Sequence, residues 1–201
     1  IPPRLHFDEP GLADVSWSDR RVLLVTVHRR ENLGERLHGL CGAFKTLLAA
    51  HPDVEIGFPV HLHPRVREVV FAELADQPRV RLFDPISYPD MLEVMRRCHL
   101  VLSDSGGIQE EAPTLRKPIL ILRSVTERPE VVKAGFGRLV GTDPATVVAV
   151  TSSLLNDDHA YRTMISGTNP FGDGHAAERI LEVIETRYGI VAGAPLAAVG
   201  T

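Results

Sequence analysis

The sequence is short of several things at once, and each shortage removes a class of protein. Only two cysteines occur among 201 residues, Cys41 and Cys98, far apart and in no CxxC arrangement. That leaves no disulfide framework and no cysteine metal spacing, and reduced thiols in a cytoplasmic protein are the simplest account. No apolar run approaches the roughly 20 residues that cross a bilayer, and no basic segment leads into an apolar one with a cleavage site, so no membrane partner is expected. An excess of one charge is missing as well: 22 Lys and Arg against 26 Asp and Glu give a formal net charge of −4 with the nine His neutral. Bulk nucleic-acid binding normally needs a strongly basic surface, so no nucleic-acid partner is expected and any anion must be held locally.

What is present suits a globular domain, since 44% hydrophobic and 24% charged residues provide a core and a solvated surface. One domain is the default at this length. The chain opens on Ile1-Pro2-Pro3 without an initiator Met. Residues 1–20 therefore read as a linker leading into a domain over 21–188, with 189–201 as a flexible tail, and the whole is expected to be a piece of something longer.

Short β-branched runs alternate with helical periodicity. Residues 21–27 (RVLLVTV) form a strand pattern, and residues 35–50 then place Leu37, Leu40, Phe44, Leu47 and Leu48 at helical spacing. The alternation predicts strands at 54–60, 80–83, 100–103, 118–122 and 138–140. Helices are predicted at 64–74, 89–97, 107–115, 144–156, 158–166 and 176–188. Strands separated by helices, without hairpin dipeptides, indicate βαβ units and a parallel sheet covered on both faces. The fold class is thus α/β, a doubly wound, Rossmann-like sheet, in which ligands bind beyond the carboxyl ends of the strands.

The residues just past those ends are the candidates. Ser103-Asp104-Ser105-Gly106-Gly107 follows the fourth strand and opens a helix, so amides and hydroxyls could receive a phosphate; alternatively it is a tight turn in which Asp104 or Ser105 caps the helix. Glu110 and Glu111, one turn on, would repel a bare phosphate, and one of them suits sugar hydroxyls, which favours a nucleotide over the turn alone. His28-Arg29-Arg30 after the first strand is costly to bury without an anion. Those side chains face a ligand or another domain, or else form a solvated loop in which Arg30 pairs with Glu31. His28, directly after the strand, can donate to a phosphate or carry a proton. His61 and His63 form an H-x-H pair without a third ligand, so His61 reads as a polar cleft contact and His63 as a helix cap, with no metal. Polar groups also gather at 123–130 and in the glycine-rich turn at 169–175.

Seven segments, HRREN at 28–32, PVHLHP at 59–64, SDSGGIQEEAP at 103–113, KPILILR at 117–123, TERPE at 126–130, RLVGTD at 138–143 and NPFGDGHAAERI at 169–180, occur in this order. Together they resemble the non-hydrolysing UDP-N-acetylglucosamine 2-epimerase family across nearly all of residues 21–188. The resemblance implies one half of a GT-B architecture, the carboxyl-terminal UDP-binding domain. It also implies interconversion of UDP-N-acetylglucosamine and UDP-N-acetylmannosamine by elimination and re-addition of UDP, with no cofactor. Ser105, Gly106 and Gly107 would hold the diphosphate and Glu111 the ribose hydroxyls. His28 would lie at the leaving phosphate as a charge stabiliser or proton donor. Arg29 and His61 match positions that contribute to a second, activating UDP-N-acetylglucosamine site. The acid/base carboxylates belong to the amino-terminal domain of the same enzyme. A homodimer serving cell-surface polysaccharide biosynthesis is the family expectation. Three places depart from the family pattern: His63 stands where Asn is usual, Ser124-Val125 where Asp-Thr is common, and Met91 where an aromatic often covers uracil. Two alternatives remain, the donor-binding domain of a GT-B glycosyltransferase and a non-catalytic nucleotide-sugar sensor.

Overall fold

The computed structural model describes residues 6–189, which divide into two compact units, one ending at Pro170 and the other beginning at Phe171. The first unit is built on β1 (Arg21–Thr26), β2 (Val54–Pro59), β3 (Val80–Phe83), β4 (Leu100–Ser103), β5 (Ile119–Ile121) and β6 (Gly137–Leu139). All of these pair in parallel, in the order β3-β2-β1-β4-β5-β6. The order reverses between β1 and β4, the pair from which the chain winds outward in both directions, and this makes a crevice at their carboxyl ends.

β1, β2, β4 and β5 are buried almost throughout, as continuous apolar runs between two helical layers require. On one face, Leu23, Val25, Phe58, Leu102 and Leu120 pack with Leu40, Phe44 and Leu47 of α1 (Glu35–Ala50), Val66 and Val70 of α2 (Pro64–Leu74), and Val147 of a later helix over Pro144–Asn156. On the other, α3 (Tyr88–Arg97) lies against β1 with Val94 and Met95 buried. Short helices α4 (Gly106–Glu111) and α5 (Pro129–Lys133) follow β4 and β5. The Pro144–Asn156 helix is α6, α7 spans Asp158–Met164, and α8 spans Ala176–Tyr188.

Three features differ from the sequence expectations. Part of the predicted leading linker is folded: Pro10–Asp14 form a 3-10 turn whose Leu12 is wholly buried. The buried Asp90 carboxylate accepts the amides of Asp8 and Glu9, and the buried Glu55 carboxylate accepts the amide of Ser16. At the other end, residues 171–189 belong to the second unit rather than to a domain running to 188. There α8 closes on Gly189 in the left-handed region and Arg179 pairs with Asp173. The predicted tail lies outside the described residues from 190 onward. Finally, α4 stops at Glu111 rather than Leu115, four residues early, because Pro113 cannot donate to the helix ladder and the chain tightens into turns.

Candidate functional site

The last registered pair between the two central strands is Thr26 opposite Ser103. Their hydroxyls meet at 2.6 Å, and the Ser103 oxygen also accepts the Ser105 amide at 2.9 Å. Ser103 is thereby withdrawn into the strand pair with no exposed surface and is not the open hydroxyl donor that its position in SDSGG suggested. From this point the HRREN and SDSGG loops diverge around one buried group.

That group is Asp104. It is wholly buried, and it caps no helix: its carboxylate reaches across to the other loop. One oxygen, Oδ2, accepts the amide of His28 at 3.0 Å, the amide of Arg29 at 2.8 Å and Asn32 Nδ2 at 2.9 Å. The other, Oδ1, lies 3.1 Å from both the His28 amide and His28 Nδ1. Burial alone would push such a carboxyl up, but the bonds from His28 and Arg29 hold it below its ordinary value. Asn32, itself buried, also donates to the Leu122 carbonyl, tying the loop to the end of β5.

A second brace spans the next two loops. Arg123 is nearly buried and pairs with Glu31 at 2.7 Å and with Glu127, and these two carboxylates hold its guanidinium above its ordinary value. Glu31 therefore serves Arg123 and not the surface pair with Arg30. Buried Gln109 of α4 donates to the Ser105 carbonyl at 3.0 Å and accepts from Thr126, whose hydroxyl oxygen in turn accepts the Arg128 amide. Asn32, Asp104, Gln109 and Arg123 were not singled out as site residues in the sequence, and each acts by binding another loop.

The predicted residues gather around this scaffold. Gly106 and Gly107 occupy the first turn of α4, where helix geometry supplies their amides with no acceptor. A Cβ built on Gly106 would lie 3.7 Å from Arg29 Nη2 and 4.0 Å from Arg128 Nη2, which places two guanidinium tips over that turn, and one built on Gly107 would meet nothing within 4 Å. Arg128 is ion-paired with Glu110, whereas Arg29 Nε donates to the Asp104 carbonyl. The His28 ring stacks on His61 with centroids 5.5 Å apart. Both line a 180 Å³ cleft with Ser105, Pro85, Ile86 and Met91. His61 Nδ1 accepts the His63 amide, and His63 caps α2 by accepting from the Arg65 amide, as its position suggested. Glu111 stands farther along α4, where burial pushes its carboxyl up, the Tyr88 hydroxyl donates to it and opposes that shift, and Glu110 adds to it. Among the described residues no three or more His, Cys, Asp or Glu side chains are gathered to hold a metal ion, and no helix is long and apolar enough to cross a membrane.

The arrangement can bind a phosphorylated, hydroxylated molecule: free amides, an imidazole and a guanidinium on one side, a carboxylate one turn away, and an apolar cleft beside them. The family described as UDP-N-acetylglucosamine 2-epimerase matches residues 5–185. The chain is 46% identical over 167 residues to the UDP-N-acetylglucosamine 2-epimerase of Escherichia coli K12, covering 83% of this chain and 44% of that protein. The crystal structure of UDP-GlcNAc 2-epimerase from Neisseria meningitidis bound to UDP-GlcNAc superposes with a TM-score of 0.82 at 36% identity, over 88% of this chain and 47% of that one. The calicheamicin glycosyltransferase, a GT-B protein, shares the fold alone, with a TM-score of 0.63 at 17% identity. This chain spans about half the length of the curated relatives it matches. With the switch-point geometry, the Rossmann-like sheet and a family match over nearly its whole length, the chain belongs to the UDP-N-acetylglucosamine 2-epimerase family.

Proposed function

We propose that this chain is the carboxyl-terminal, nucleotide-binding half of a two-domain GT-B enzyme that interconverts UDP-N-acetylglucosamine and UDP-N-acetylmannosamine. The observation that carries the reading is the convergence at the β1/β4 crevice of His28, the first-turn amides of Gly106 and Gly107, and the Arg29 guanidinium, with Glu111 one turn on. Ser105 and the two glycine amides receive the diphosphate, Glu111 accepts from the ribose hydroxyls, and the base lies over Ile86 and Met91. In the reaction a base removes the C2 proton, the C1–O bond breaks, UDP leaves and a 2-acetamidoglucal remains; re-addition on the other face completes epimerisation. This wall of the cleft stabilises the departing diphosphate, and His28 is its catalytic group. The C2 base belongs to the other domain. Arg29, over the first turn of α4, and His61, on the cleft wall beside His28, contribute to an adjoining UDP-N-acetylglucosamine site that activates the enzyme. We place the enzyme in the cytoplasm as a homodimer feeding polysaccharide synthesis, in keeping with the unpaired, buried Cys41 and Cys98.

The test is deuterium exchange at C2 of UDP-N-acetylglucosamine in heavy water. The isolated chain binds UDP but incorporates no deuterium, and the enzyme with both domains incorporates it and forms the manno epimer without an acceptor. Exchange by the isolated chain would move the base into this half, and dependence on an acceptor sugar would make the protein a transferase.

A further inference from the structure

The buried carboxylate that organises the site also dictates where the hydrogens of its imidazole sit. A carboxylate that receives N–H groups acts only as an acceptor. Asp104 Oδ2 accepts the Arg29 amide and Asn32 Nδ2 and shares the His28 amide with Oδ1, and Oδ1 also faces His28 Nδ1 at 3.1 Å. The ring nitrogen on that side must therefore carry hydrogen. We propose that Asp104 is a positioning residue, which locks His28 with its hydrogen on Nδ1 and leaves Nε2 as the nitrogen presented to the leaving diphosphate.

The neighbouring ring is set the opposite way. His61 Nδ1 accepts the His63 amide, which leaves Nε2 as the nitrogen of that ring to carry hydrogen. The two rings stack 5.5 Å apart, and only His28 has a carboxylate behind it. The other charged group facing this end of the ring is Arg29, whose Nε is held on the Asp104 carbonyl. When a diphosphate oxygen, also only an acceptor, meets Nε2, hydrogen is required on both nitrogens. The second proton comes from solvent, and His28 becomes an imidazolium held between Asp104 and the leaving group. Positive charge then arises where negative charge develops. This last step rests on the nucleotide reading above; the hydrogen on Nδ1 does not.

The deciding measurement is the ring-nitrogen spectrum of the ¹⁵N-labelled 201-residue chain at pH 8, with His28 assigned by its absence in His28→Gln. The free chain shows a protonated Nδ1 and a pyridine-like Nε2, and saturating UDP gives two protonated nitrogens. A free ring with hydrogen on Nε2 and a bare Nδ1 overturns the proposal. Asp104→Asn sharpens the test, because three N–H groups converge on Oδ2 and fix the amide oxygen there, which turns its NH₂ toward His28. The hydrogen then moves to Nε2, and UDP affinity falls about tenfold as the charge is lost. An unchanged tautomer in a folded Asp104→Asn chain also overturns the proposal, and if that variant does not fold, the spectrum of the unaltered chain decides. A free chain with hydrogen on Nδ1 whose Gly106 and Gly107 amides ignore UDP would sink the nucleotide reading and leave the Asp104–His28 arrangement standing.

Discussion

Two histidines stand at opposite ends of the same strand pair, His28 after β1 and His99 before β4. Each stacks on another ring, His28 on His61 and His99 on Tyr161, the latter with centroids 4.5 Å apart. Their electrostatic settings are opposed. His28 leans on a buried carboxylate and opens onto a cleft. His99 is pushed down to about 4, first by burial and then by the charges of Arg21 and Lys117, and its Nε2 has no hydrogen-bond partner among the described residues. Partial burial and ring stacking are therefore no mark of function by themselves. What sets His28 apart is an acceptor behind it and room in front of it.

The largest effects should separate these two edges. His28→Ala, in an enzyme containing both domains, is expected to lower kcat by about 10²–10³, the usual cost of losing one electrostatic stabiliser, with KM changing far less. The opposite-edge change His99→Phe should leave kcat within about twofold. Steady-state kinetics of both variants check this, and an equal loss of kcat in each would dissolve the distinction.

Within the carboxyl edge, Glu111→Gln should remove the charge-assisted acceptance from the ribose that we propose, worth about 1.5–3 kcal/mol, so UDP affinity should fall roughly ten- to a hundredfold. The variant should also lose most of the preference for UDP over 2′-deoxy-UDP in calorimetric titration. Equal affinities would show that Glu111 serves only α4. The Tyr88 hydroxyl donates to Glu111 from a side chain that is itself 57% exposed. Tyr88→Phe therefore removes one solvated hydrogen bond of about 0.5–1.5 kcal/mol, a two- to tenfold loss of UDP affinity by the same titration.

The layered fold was legible because its strands are sealed on both faces, which writes them as unbroken apolar runs such as residues 21–27, and because α1 and α6 are long enough to show a helical period. The five-residue α5 is too short for a period to register and went unseen. The positions of the candidate residues could be read as well: His28, Ser105, Gly106, Gly107 and Glu111 follow strands whose ends were placed within a residue or two. The supporting residues could not. Asp104 after a strand reads locally as a helix cap, and nothing nearby in sequence indicates that its partner Asn32 lies 72 residues away. In the same way Arg123 reads as loop polarity until Glu31, 92 residues back, is brought against it. A buried polar group is defined by where its partner comes from, and single-chain periodicity carries no such information.

The smallest predicted effect tests the quiet histidine. The folded value for His99 is about 4, below the unperturbed ring value of about 6.5. Between those values the unfolded chain binds a proton that the folded chain refuses, so stability falls as pH drops from about 6.5 toward 4. Most Asp and Glu carboxylates stay ionised down to about pH 5, so the upper part of this window isolates the imidazole. Because the ring is partly open to screening solvent, the loss at pH 5 is expected to be about 1 kcal/mol, roughly half of what the shift alone implies. His99→Phe keeps a ring against Tyr161 and gives up no bond at Nε2, so its urea-unfolding free energy should change less between pH 7 and pH 5 than that of the unaltered chain. Parallel pH dependences would mean that the folded protein accepts the proton, with Asp158 and Asp53, the two carboxylates that favour the charged ring, outweighing burial. The amino edge would then hold a second supported imidazole, and the contrast with His28 would rest on the cleft alone.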